Sequence, residues 1–100
     1  MSGLEKLQQQ DRRLVILRLL MESDGYSANT YLLRSALEGF GHSIGMDLLM
    51  TEIAWLEEQG LVTTDQPGGV TVAKLTSRGH DAALGRATVP GVKKPEPGDH

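Results

Sequence analysis

Three histidines, thirteen carboxylates and no cysteine bound the chemistry open to this chain. Thiolate nucleophiles, disulfides and every cysteine-containing zinc site are excluded at once. A metal would have to rest on His42, His80 and His100 with Asp47 or Asp81. No pair of these histidines has the spacing that sets two ligands on one helix face, so no metal is expected. The glycines of "GFGHSIG", Gly39, Gly41 and Gly45, echo a dinucleotide fingerprint but fail on spacing and on context. That loop follows a strand and opens a helix within a βαβ unit, whereas this one reads as a helix-to-helix turn, and no cofactor is expected. The Ser and Thr hydroxyls lack a histidine at a recognisable spacing, and Glu57-Glu58 with nearby Glu52 read as a solvated helix face. The chain is therefore expected not to be an enzyme.

What remains is recognition, and the stretch that raises it is "SIGMDLLMTEIAWLEEQGLVTT", residues 43–64. It reads as a helix stopped by Gly60 that runs into a strand. Leu49, Ile53 and Leu56 share an inward face; Met46, Met50, Ala54 and Glu57 form one outward line, with Asp47, Thr51 and Glu58 on the next. The helix carries Asp47, Glu52, Glu57 and Glu58 but no Lys or Arg. Asp47 suits the positive end of the helix dipole. Carboxylates cannot pair with phosphate, and DNA affinity rests largely on cations along the backbone. The net charge is −3, and the cations are scattered: Arg12, Arg13, Arg18, Arg34, Lys74, Arg78, Arg86 and Lys93-Lys94.

These residues need elements to hold them. Ser2-Gly3-Leu4-Glu5 has the form of a capping box, so a first helix is expected from about residue 3. From Leu14 to Met21 it is apolar on nearly every side. A helix of that kind is buried all round, either by a second subunit or by its own chain. Glu22-Ser23-Asp24-Gly25 ends it, Tyr26-Ser27-Ala28 is a short extended stretch, and Asn29 caps a second helix that stops at Gly39 and Gly41. The third helix opens near Ser43 or Gly45. Strands at 61–64 and 70–75 flank a Pro67-Gly68-Gly69 turn, and Thr76 caps a last helix, Ser77 to Leu84, closed by Gly85. The reading is a mainly α domain with a small β-hairpin over residues 1–86, in the order α-α-α-β-β-α. Three of the four prolines lie in residues 87–100, which read as an extended or disordered tail. Three helices followed by a hairpin make a winged helix-turn-helix, with the hairpin as the wing.

"EIAWLEEQGLVTT" and "VTVAKLTSRGHDAALG" resemble winged-helix regulators of the MarR, ArsR and PadR kind. In those, a third helix ends in E-x-G-L-[IV], the wing returns, and L-T-x-x-G opens the next helix. A narrower resemblance, through "DRRLVILRLL", "ALEGFGH", "AWLEEQGLVT" and "LTSRGHDAALGRATVPGVKKPEP", spans nearly the whole chain. It is similar to short winged-helix proteins of Mu-like phages and prophages. Their third helix commonly opens S-R-D-x-[VL]-R, where this chain has Gly45-Met46-Asp47-Leu48-Leu49-Met50.

The resemblance implies a phage or prophage transcriptional regulator that binds double-stranded DNA. In that geometry Arg34 on the second helix and Lys74 on the wing flank the groove entered by the third helix. Thr51, with Met46 or Met50 beside Asp47, would be left to touch base edges, an apolar readout suited to thymine methyl groups. A homodimer through the first helix is expected to set two third helices about one DNA turn apart. The alternative is a module that docks on a phage or host protein through Met46, Leu48 and Met50, for which adaptable methionines are suited. The longest uninterrupted apolar run, Leu14 to Leu17, falls far below the roughly 20 residues a membrane span needs, and no signal peptide is legible, so no membrane partner and a cytoplasmic location are expected.

Overall fold

A computed structural model describes residues 2–98. Four helices surround a small three-stranded antiparallel sheet: α1 Gly3–Glu22, β1 Ser27–Asn29, α2 Thr30–Gly39, α3 Met46–Glu58, β2 Val62–Asp65, β3 Val72–Leu75 and α4 Ser77–Leu84. The order α-β-α-α-β-β-α departs from the expected α-α-α-β-β-α at β1, which the sequence alone presents as extended chain. Ser27–Asn29 pairs with β3, so the sheet runs β1-β3-β2 with β3 in the centre. Three residues are too few to show alternation, which is why the pairing is not legible locally.

Caps fix the ends of the helices. Ser2 Oγ accepts from Glu5 N at 3.1 Å, Asn29 Oδ1 from Leu32 N at 2.8 Å and Thr76 Oγ1 from Gly79 N at 3.0 Å. Each satisfies an amide that its helix leaves without an internal partner. Gly60, at φ 76°, ends α3 in the left-handed region where a Cβ would be strained. There Gly60 N donates to Glu57 O and Leu61 N to Leu56 O, the paired bonds of a Schellman motif, and the chain is turned directly into β2.

The core lies under α1. Leu14, Ile16, Leu17 and Leu20 are fully buried, and Ile16, Leu17 and Leu20 share one cluster with Leu33 and Leu37 of α2, Leu49, Ile53 and Leu56 of α3, and Ala73 of β3. The chain thus wraps its own central helix between Leu14 and Leu20, and a second subunit is not needed to cover those residues. Alternation on β3 sends Ala73 and Leu75 inward and Lys74 out, where it pairs across from Ser27 on β1 and Thr63 on β2. Gly79 lets α4 close on the hairpin, since a Cβ there would stand 2.1 Å from Leu61 O.

Residues 87–98 contain no helix or strand, yet they are packed against the body. Val89 is buried in the core cluster, Lys93 N donates to Gln10 O, and Gly91 lies against the Trp55 ring. The segment expected as an extended or disordered tail thus supplies buried contacts. Val89 and Val92, set among prolines and glycine, have no periodicity to betray them; the segment meets α1 at Gln10 and α3 at Trp55. Residues 99 and 100 of the expected tail lie outside the described residues. Among the described residues, no helix is long and apolar enough to cross a membrane.

Candidate nucleic-acid interface

Gly45 caps α3 without a side-chain bond, and Asp47 sits in the first turn. Thr51 Oγ1 donates back to Asp47 O at 3.0 Å. The residues that α3 turns to solvent are Asp47, Leu48, Thr51, Ala54, Glu57 and Glu58. Met46 and Met50 are half-buried, and Met46 packs against the core beside Ile44. Leu48, at 39% exposure, is the large apolar side chain this face offers.

The carboxylates of α3 divide by what they hold. Glu52 is 1% exposed, which overturns its reading as part of a solvated face. Its Oε2 accepts from Arg12 Nε at 2.8 Å and its Oε1 from Arg13 Nε at 3.0 Å. A carboxylate leaves water only when both oxygens are paired, and two guanidiniums on α1 do that here. The Arg13 guanidinium also lies 3.8 Å from the Trp55 ring centre, a cation–π contact, and its Nη1 donates to Gly91 O at 3.1 Å. One buried acid thereby ties α1, α3 and the C-terminal segment together. Glu57 ties α3 to β2 by accepting from Thr64 N at 2.9 Å and from Thr64 Oγ1. Asp47 and Glu58 are the α3 carboxylates whose side chains have no partner among the described residues.

The cations divide in the same way. Arg12 and Arg13, counted by the sequence reading as available, are held by Glu52. Arg78 Nε donates to Gln59 O at 2.9 Å, and Lys93 reaches Asp11 at 3.5 Å. Asp11 also meets His42 Nε2 at 2.7 Å, a half-buried pair that sequence spacing did not suggest. Arg34 is half-buried on α2 and Lys74 exposed on β3, and neither has an ion-pair partner among the described residues. Met46, Asp47, Met50 and Thr51 share the first turns of α3, while Arg34 stands on α2 and Lys74 on β3. No three His or carboxylate side chains gather among the described residues; His100 lies outside them.

Over 88 residues this chain is 49% identical to gp26 of Escherichia phage Mu, a match covering 88% of the chain and 91% of gp26. The chain belongs to the gp26 family. A Haemophilus influenzae protein is a second relative, 47% identical over 70 residues, 69% of the chain and 68% of that protein. The gp26 match supports a short phage protein, the setting expected from the sequence. Both relatives are described as uncharacterized, so neither name assigns an activity. No family model matches the chain, and no solved structure does.

Proposed function

We propose that this member of the gp26 family is a winged-helix DNA-binding regulator, acting as a homodimer, in which α2 and α3 form the helix-turn-helix and β2–β3 the wing. The observation that carries the reading is the burial of Glu52 on Arg12 and Arg13. It takes one of the four carboxylates of α3 off the surface and makes it part of the frame that positions that helix. The outward residues Leu48 and Thr51 then offer apolar and hydroxyl contacts to base edges, with Arg34 and Lys74 as backbone cations.

Binding to random duplex DNA across a salt series tests this. Log affinity should fall linearly with log salt, and Arg34→Ala and Lys74→Ala should each reduce the slope by about one. Affinity that neither substitution weakens would remove these two contacts, and no binding even at low salt would remove the DNA reading.

A second reading is favoured by the charge of the same face. Asp47, Glu57 and Glu58 are exposed on α3 with no base among them, and the Asp65–Gly69 wing tip adds another acid. Such a surface suits a protein partner, and Leu48→Arg would abolish its capture while leaving the fold intact.

A further inference from the structure

The first two turns of α1 stand clear of the body. Leu4 and Leu7 are 66% and 65% exposed, at the end of a helix whose middle is fully buried. Followed down one face in steps of three and four, the stripe runs Leu4, Leu7, Asp11, Val15, Arg18, Glu22. Its last four members line a groove of about 610 Å³ between α1, α4 and the C-terminal segment. Phe40 and Leu84 are at its edge, 53% and 41% exposed. A single helix face therefore carries an apolar ridge at one end and an open, partly apolar groove along the rest.

A surface of that kind is self-complementary, the condition for a two-fold contact in which each copy gives and receives the same patch. We propose that the groove receives Leu4 and Leu7 of a second copy of this chain, with the two α1 helices antiparallel. Charge order selects the direction. Asp11, Arg18 and Glu22 alternate in sign along the stripe. A parallel, in-register pair sets each against its like, whereas the antiparallel pair sets Asp11, whose side chain stays 38% exposed beside His42 and Lys93, on the same side as Arg18 of the second copy. That is a long-range charge complement that needs neither group to leave its own partners, and the same pairing carries Leu7 over Leu19 and Glu22 of that copy.

Stable complexes cover roughly 800 Å² per partner, about 14% of the 5816 Å² surface of this chain (800/5816). A 20-residue helix is about 30 Å long, and both ends of the stripe are used twice. The inference rests on the homodimer of the proposed reading and is independent of DNA binding.

Light scattering at high micromolar concentration tests it on the whole chain. The natural protein should show twice its 10.8 kDa mass. Leu4→Glu with Leu7→Glu should give a monomer, and so should Leu84→Glu; because these side chains already face water, each variant should keep its helical circular dichroism. Phe40→Glu serves as a second groove variant if Leu84→Glu does not fold. Mixing the ridge variant with a groove variant should recover a weaker heterodimer that retains one ridge-in-groove contact. A monomeric natural protein would overturn both the dimer and its geometry. A dimer that survives the ridge substitutions would overturn the geometry alone. So would one that the ridge substitutions break and both groove substitutions spare, because the leucines would then be meeting each other.

Discussion

Replacing Glu52 by Ala should be among the most damaging single changes in this chain. The substitution strips the shared carboxylate from two guanidiniums whose side chains are only 11% and 10% exposed. Breaking a buried ion pair from one side costs about 3–5 kcal/mol, because the remaining charge keeps its desolvation penalty without its partner. The lower end applies, since Arg13 retains Gly91 O and the Trp55 ring and Arg12 can turn outward. A loss of about 3 kcal/mol corresponds to a fall in Tm of roughly 12–24 °C for a domain of this size. Glu52→Gln keeps the shape and one acceptor, so it should fall between Glu52→Ala and the natural chain. Glu58→Ala, on the exposed side of the same helix, should stay within about 0.5 kcal/mol of the natural protein. Replacing Glu52, Arg12 and Arg13 together by Met should recover most of the loss, because no buried charge is then left alone. Denaturant unfolding followed by circular dichroism reads all four. A Glu52→Ala loss below about 1 kcal/mol would refute the reasoning, since so little is expected only if water reaches both guanidiniums.

Truncation after Arg86 should lower stability, as it uncovers the site of Val89, worth roughly 1.5–3 kcal/mol, and removes the Gly91 acceptor of Arg13; a thermal melt unchanged from the full chain would contradict this. Gly79→Ala should also destabilise: overpacking costs typically 1–3 kcal/mol, and contact with the Leu61 carbonyl outweighs the roughly 1 kcal/mol that Ala gains in helix propensity. Denaturant midpoints check its sign. Leu48→Arg should raise duplex affinity and steepen its salt dependence by adding a cation to the outward face of α3; fluorescence anisotropy unchanged from the natural protein would count against that face as the contact.

The elements were legible because each carries a local signal. Ser2, Asn29 and Thr76 are cap residues at the right distance from an apolar pattern, and Gly60 and Gly85 lack the Cβ that a left-handed helix end strains. The pairing of β1 depends on chain more than forty residues away, and the docking of the C-terminal segment on Trp55 and Gln10, also far off in the chain, and neither leaves such a trace. Glu52 lies between these cases. It stands three residues after Leu49 and four before Leu56, squarely on the inward stripe, so its spacing declared it buried. Its charge argued the reverse, and that argument fails because Arg12 and Arg13 arrive from α1. Burial of a carboxylate is decided by partners, which a single stretch of sequence does not name.

Whether, and where, duplex DNA touches this protein tests the proposed function most directly. Backbone amide shifts recorded as duplex is added at low salt measure that. The largest changes should fall on residues 46–51 and around Arg34 and Lys74, and they should fade as salt is raised. No change at low salt, or changes confined to the groove between α1 and α4, would contradict the account.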